Sequence, residues 1–352
     1  MPYLLNEKLV GLVPYEPISG NYPIRLDANE SFLTLPLPVM RAVSEAILHV
    51  DYNRYPDPTS GALCKEFARF YGLSSDLVTA GNGSDELIFL IMSAFLMKGD
   101  NILILSPDFS MYNFYSSLVE STSLVLPKGD MFSVNIDDVI RHAKRENVKM
   151  IIFSNPCNPT SQGVPREEVE RLVSSVDALV VVDEAYMDFW DQSVLLDVTK
   201  HDNLIILRTL SKALGMAAIR LGFAVSTPPL QRVLMAAKSP YNVNAVTQAI
   251  GRVVLSYREE MHAAIGEIVQ SRDWLYALCK AVEAEFPDQI VVYPPCTNFV
   301  TIRTKQAETI YKALLKEGIV VREFPSFLRV TCGKNDENEA FIKALTTILK
   351  GM

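Results

Sequence analysis

The chain has 352 residues, of which 49 % are apolar and 21 % charged, and its net charge is −8. At about 150 residues per domain this suggests roughly two domains, with enough core to fold without disulfide or metal staples. The acidic balance argues against nonspecific nucleic-acid binding and against an anionic membrane surface, but not against a small anion held by a local cluster of donors.

Taken in chain order, residues 1–30 are rich in Pro and Tyr with little periodicity and read as an extended N-terminal arm rather than a packed element. Helical spacing follows over Pro38–Val50 and Ala62–Tyr71, then a short strand at Leu77–Ala80 and an apolar helix at Asp85–Met97. That helix carries the longest apolar stretch, Leu87–Met97, too short for the ~20 residues of a membrane span. Asn101–Leu105, Ser123–Leu126, Met150–Phe153, Ala178–Val182, Leu204–Leu207 and Leu221–Val225 are short runs of Leu and β-branched residues, as expected of buried parallel strands with helices on both faces. Asp137–Glu146 and Pro165–Ser174 supply helical crossovers. Residues 31–252 therefore read as a large α/β domain. One long helical pattern runs from Val253 to Phe286, and strands at Ile290–Tyr293, Asn298–Arg303 and Phe327–Thr331 alternate with helices near Ala307–Glu317 and Glu337–Lys350. Residues 253–352 read as a small C-terminal α+β domain.

No basic start leads into an apolar run, so no signal peptide is expected. The five scattered cysteines contain no CxxC and point to a reduced, cytoplasmic chain. The four histidines form no HExxH or HxxxH pair, so no metal site is expected.

Ligands of open α/β sheets bind beyond the carboxyl ends of the strands. Five strand ends carry polar segments punctuated by Gly or Pro: GNGSDE (81–86), SPDFSMY (106–112), SNPCNPT (154–160), DEAY (183–186) and RTLSKALGMAAIR (208–220). GNGSDE is a tight turn opening a helix, and its backbone N–H groups with Gly83, Ser84 and Asp85 would cradle an anion. Glu86 stands where a dinucleotide fingerprint needs a third Gly, and the ordinary alternative is a capped helix start. Lys212 has Thr209, Ser211 and Arg220 around it, two hydroxyls and a guanidinium suited to a phosphate. A Lys in such surroundings is a nucleophile toward aldehydes, although a surface Lys would look the same in isolation. Asp183 ends a buried strand and could hold a ring nitrogen protonated, cap a helix or bind a metal. Glu184 points elsewhere. Tyr186 and Asn158 are fit to hold a phenolate oxygen, and Phe109 could stack on a flat ring or fill the core. This inventory matches pyridoxal 5′-phosphate.

On these segments the chain resembles the fold-type-I aminotransferases and, more narrowly, the histidinol-phosphate aminotransferase family. The resemblance runs from LDANES (26–31) through NRYPDP (53–58), the five segments above and SPYNVN (239–244) to LRVTCG (328–333). It implies a mostly parallel central sheet flanked by helices, pyridoxal phosphate as cofactor, and a homodimer with shared sites. It implies catalytic roles for Lys212 as Schiff-base lysine, Asp183 on the ring nitrogen and Tyr186. Gly83, Ser84, Asp85, Phe109, Asn158, Thr209, Ser211 and Arg220 would bind cofactor, joined by Tyr55 from the partner subunit. Tyr15, Asn29, Arg322 and Arg329 would line the substrate site. The implied reaction moves an amino group from histidinol phosphate to 2-oxoglutarate, giving glutamate, in histidine biosynthesis, with Lys212 as general base. A threonine-phosphate decarboxylase, a broad aromatic aminotransferase and a non-catalytic cofactor-binding regulator are the competing readings. The regulator would need a basic DNA-binding domain for which the chain has no spare length. Three departures from the family pattern stand near the site: Ser161 for the usual Gly, Glu30-Ser31-Phe32 after Asn29, and Cys157 for the more frequent Asn.

Overall fold

The computed structural model describes every residue except 1, 2, 15 and 17. After a short helix α1 (Glu7–Val10), the chain forms β1 (Ile24–Leu26), α2 (Leu37–Leu48), α3 (Gly61–Tyr71), β2 (Val78–Gly81), α4 (Gly83–Phe95), β3 (Asn101–Ser106), α5 (Met111–Leu118) and β4 (Thr122–Pro127). It continues with α6 (Ile136–Arg145), β5 (Met150–Ser154), α7 (Arg166–Ser175), β6 (Leu179–Asp183), β7 (Leu204–Thr209), β8 (Gly222–Ser226), α8 (Pro228–Ala237) and α9 (Ala245–Ser256). The C-terminal part holds α10 (Arg258–Glu285), β9 (Val291–Tyr293), β10 (Phe299–Arg303), α11 (Ala307–Lys316), β11 (Ile319–Phe324), β12 (Phe327–Thr331) and α12 (Asn335–Lys350).

Seven strands make one sheet in the order β2-β8-β7-β6-β5-β3-β4. Alternate side chains feed two cores on its faces. Ile104, Ile152, Val181 and Ile205 pack with Leu87, Ile91 and Met92 of α4 on one side. Leu103, Phe153, Val180 and Ile206 join the larger cluster on the other. The strands β3 to β7 pair in parallel, as expected. Two expectations need correction. Leu221–Val225 was grouped with the parallel strands, but β8 runs antiparallel to both β7 and β2. The link from β7 to β8 holds only a single turn of 3-10 helix, Ala217–Ile219, and a parallel return needs a crossover helix. The run at Ser123–Leu126 is parallel but not buried: β4 is the sheet edge, and Val125 is 51 % exposed.

The second sheet has the order β1-β11-β12-β10-β9, antiparallel except where β1 runs parallel to β11. Here the expectation of an unpacked arm over residues 1–30 fails in part. Ile24–Leu26 is an edge strand with Leu26 buried, a run too short for periodicity to reveal. The helical pattern of Val253–Phe286 is also two helices, because Tyr257 leaves the helical region at φ −91°, ψ 59°. α9 packs on α2 and α3, whereas α10 packs on α12 and β9. Neither Gly nor Pro marks the break, so only tertiary packing decides it.

Candidate active site

Because β2 and β8 alternate in direction, the carboxyl ends of β2, β3, β5, β6 and β7 and the start of β8 share one rim of the large sheet. The turn after β2 enters α4 through Gly83 at φ +75°. A Cβ on Gly83 would lie 2.8 Å from Arg220 Nη2, and one on Gly222 would lie 2.5 Å from the Ser84 backbone nitrogen. Glycine at both places lets the start of β8 press against the helix N-terminus, whose free N–H groups favour an anion. Arg220, left-handed at φ 50°, reaches over this turn. Its Nη2 is 3.1 Å from Asp85 Oδ2 and its Nη1 3.5 Å from Ser211 Oγ. Thr209 Oγ1 donates to Ser211 Oγ at 3.0 Å.

Asn242 of the SPYNVN segment fastens this turn from behind. Its Nδ2 donates to Ala80 O and Glu86 Oε2, and its carbonyl accepts from Asn82 Nδ2. Lys238 donates to Asn242 Oδ1 and to Pro58 O of the NRYPDP segment. Within one chain the two segments therefore support the anion cradle from behind.

Asp183 ends β6 and is buried. Its Oδ2 accepts from Tyr112 OH at 3.0 Å and its Oδ1 from the Ala185 amide at 3.1 Å. Burial pushes this carboxyl up to about 7, against the lowering effect of those two donors and with help from the negative charges of Asp108 and Asp85. Glu184 faces the other way, into a buried network with Arg208 at 2.8 Å, Ser193 and the Val194 amide. Lys212 Nζ donates to Ala28 O at 3.2 Å and lies 5.8 Å from the centre of the Tyr186 ring. Tyr186 OH accepts from Asn29 Nδ2 at 2.8 Å, and Asn29 is itself held by Thr331 and Asn298. Asn158 Oδ1 accepts from Arg329 Nη1, while Arg329 Nη2 donates to Asp27 O.

These groups surround a cavity of about 190 Å³. Its walls bring together ten of the residues expected from the sequence: Ser84, Asp85, Phe109, Asn158, Asp183, Tyr186, Thr209, Ser211, Lys212 and Arg220. Gly83 stands behind Arg220, and Asn29 and Arg329 reach the site through Tyr186 and Asn158. Arg322 lies directly across from Arg329 in the β11–β12 register, so both project from the same face of the small sheet, but it does not line the cavity. Tyr55 is 81 % exposed and stacks on Tyr241 with ring centres 4.6 Å apart, away from the cavity of its own chain. Tyr15 lies outside the described residues.

Sequence reasoning missed Tyr112, Ser154 and Glu30. The signal for Tyr112 was present: it closes the same strand-end segment, SPDFSMY, that holds Phe109. The departures also find places. Ser161 keeps the positive φ of 59°, and its hydroxyl, 0 % exposed, meets Thr297 Oγ1 and accepts from the Cys296 amide. Glu30 lines the cavity, whereas Ser31 Oγ accepts from the Leu33 amide and Phe32 packs on the core. Among the described residues no helix is long and apolar enough to cross a membrane, and no group of three or more His, Cys, Asp or Glu could hold a metal ion.

The model of the family "Aminotransferase class I and II" matches residues 23–345. A histidinol-phosphate aminotransferase of Clostridium kluyveri is 40 % identical over 352 residues, covering 99 % of both chains. One from Clostridium novyi is 37 % identical, covering 97 % of this chain and 96 % of the relative. The crystal structure of histidinol-phosphate aminotransferase from Sinorhizobium meliloti in complex with pyridoxal-5′-phosphate shares the fold, with a TM-score of 0.85 at 22 % identity, over 94 % of this chain and 92 % of that one.

Proposed function

The chain belongs to the class I and II aminotransferases and, within them, to the histidinol-phosphate aminotransferase family; from that premise we propose that it transfers an amino group from histidinol phosphate to 2-oxoglutarate with pyridoxal 5′-phosphate as cofactor. One observation carries the reading. A buried carboxyl, a lysine amine and an anion cradle stand on three sides of a single cavity.

The donor set fits the cofactor. The cradle offers the N–H groups of the α4 turn, the hydroxyls of Ser84 and Ser211 and the Arg220 guanidinium, a set matched to a phosphate. Asp183 is a carboxyl whose negative form is unfavourable until a cation faces it, which suits a ring nitrogen. Phe109 presents an aromatic ring to the cavity, fit to cover a flat ligand. When bound, the cofactor supplies an aldehyde that captures amines and a protonated ring that takes up electrons.

The chain's own residues then have distinct tasks. Lys212 Nζ, held in the site by Ala28 O, would take the substrate α-proton and return it to the carbon on the other side of the transferring nitrogen. Asp183 keeps a proton on the facing nitrogen. Tyr186 OH, oriented by Asn29, and the Asn158 side chain, oriented by Arg329, hold the ring oxygen. Arg329, with Arg322 beside it in the register of the small sheet, faces the substrate's anionic end. One guanidinium suffices for an ordinary α-carboxylate, so a pair is better explained by a substrate phosphate. Tyr55 reaches the phosphate cradle of a second copy in a homodimer, and the cytoplasm is the working compartment.

The test is single-turnover spectroscopy of the cofactor-loaded protein against histidinol phosphate, phenylalanine and threonine phosphate, with CO2 release followed in parallel. Fast amino transfer from histidinol phosphate without CO2 is expected. CO2 from threonine phosphate would install the decarboxylase reading, and equal rates with phenylalanine the broad aminotransferase. Losing a charge-assisted contact in a closed site costs on the order of 2–5 kcal/mol. Arg322→Ala should therefore weaken histidinol phosphate far more than phenylalanine in kcat/KM. Equal losses would remove the argument for a phosphorylated substrate.

A further inference from the structure

Behind the cavity wall lies a charge pair that the reaction does not use. Lys128, one residue past β4, and Asp108, two past β3, have side chains only 2 % and 1 % exposed. Lys128 Nζ donates to Asp108 Oδ2 at 3.2 Å, to Pro107 O at 2.8 Å and to Cys157 Sγ at 2.9 Å, one acceptor for each ammonium proton. The Asp108 carboxylate accepts in turn from the Phe109 amide at 2.8 Å and from the Ser154 amide and hydroxyl. Ser154 Oγ accepts from the Asn158 amide at 3.2 Å.

We propose that the Asp108–Lys128 pair is a positioning device of the cofactor cavity: Asp108 fixes Phe109 and the Ser154–Asn158 loop relative to each other, and Lys128 anchors that carboxylate in place. This rests on the cofactor assignment above and extends it to residues outside the cavity. A buried ion pair contributes little net stability compared with apolar packing, because desolvation offsets most of the attraction. What it offers here is acceptor capacity. One carboxylate joins the ends of β3, β4 and β5, whose loops present the ring-stacking residue and the ring-oxygen partner. The loop it holds is a partition. Phe109, Ser154 and Asn158 face the cofactor cavity, while Lys128, Cys157 and Ser154 face a second cavity of about 390 Å³ on the other side. Without a charged anchor that partition has space to move into.

Asp108 also contributes to the electrostatic background of Asp183. The groups facing Asp183 are Tyr112 on α5, Asp108 past β3 and Asp85 on α4, with Lys212 and Tyr186 on the same cavity wall. Asp108 and Asp85 push its carboxyl up, and Tyr112 pulls it down. Removing the charge of Asp108 therefore shifts Asp183 downward, which a purely structural role would not do.

The experiment compares the wild type with Asp108→Asn, Lys128→Met and the double variant. Cofactor affinity is measured by fluorescence quenching, and the stability of the cofactor-free chain as a function of pH. Asp108→Asn should weaken pyridoxal phosphate about tenfold and lower the Asp183-linked midpoint. Lys128→Met should weaken the cofactor at least as much, because it leaves a buried carboxylate unpaired, and the double variant should recover part of that loss. If Lys128→Met does not fold, Asp108→Asn and the double variant decide. Folded variants with wild-type affinity and an unmoved midpoint would overturn the proposal. A wild type that binds no pyridoxal phosphate would instead overturn the cofactor assignment, and the midpoint shift would still report on the pair.

Discussion

Asp183 is a group whose native environment opposes its charge. Its folded value of about 7 lies above the ordinary carboxylate value near 4. A raised carboxyl contributes stability at pH below the unfolded value and loses it as pH rises through the folded one. The cofactor-free chain should therefore weaken from about pH 4 to about pH 7, by on the order of 4 kcal/mol from this residue alone. Urea titrations of the cofactor-free wild type and Asp183→Asn at several pH values measure it. The difference between their slopes should vanish above about pH 8, and parallel curves across the whole range would place the Asp183 proton elsewhere. Adding pyridoxal phosphate should rescue the wild type most at the alkaline end, where a cationic ring nitrogen meets a carboxylate that is otherwise buried without a partner charge.

At the scale of elements, the site depends on how closely β8 approaches the turn before α4. A Cβ on residue 222 meets backbone atoms of Gly83 and Ser84 at 2.5–2.6 Å, and neither can move without moving the helix. Gly222→Ala should cost about 1–3 kcal/mol of stability. It should also weaken pyridoxal phosphate tenfold or more, whereas Gly266→Ala, where a Cβ meets nothing within 4 Å, should leave binding intact. Equal binding by both variants, measured by equilibrium dialysis, would disprove the close-approach argument. The same elements show what was legible beforehand. Buried strands announced themselves by unbroken Leu, Ile and Val runs, and ten residues of the polar segments at their ends line one cavity. The direction of β8 was not legible, because strand composition carries no sign of polarity; only the short link from Lys212 to Arg220 hinted at it. The break at Tyr257 and the pairing of Ile24–Leu26 were hidden for another reason. Both are settled by partners far away in sequence, α2 and α3 in one case and β11 in the other.

For the whole molecule, Tyr55 poses the main question. It is exposed and stacked on Tyr241 rather than turned into its own cavity, which suits a residue offered to a second copy. If the sites are shared, mixing Lys212→Ala subunits with Tyr55→Ala subunits should regenerate intact sites in hybrid dimers. At statistical mixing about one quarter of all sites would be whole. Activity assays after verified subunit exchange check this, and no recovery would assign Tyr55 to a surface role.

The pairing of β1 with β11 has a temporal consequence. Residues 24–26 leave the ribosome early, yet their partners 319–321 and the Thr331 that holds Asn29 are among the last to be made. At ordinary translation speeds of about 5–20 residues per second, the β1 segment waits roughly 15–60 s for its neighbour. Meanwhile Asn29 has no hold from Thr331, and the Lys212 amine lacks the fixed Ala28 carbonyl. A nascent chain arrested near residue 300 should thus have a formed large sheet, protected against protease, but an unfinished pocket. Such arrested complexes should capture pyridoxal phosphate poorly, and release of the finished chain should restore capture.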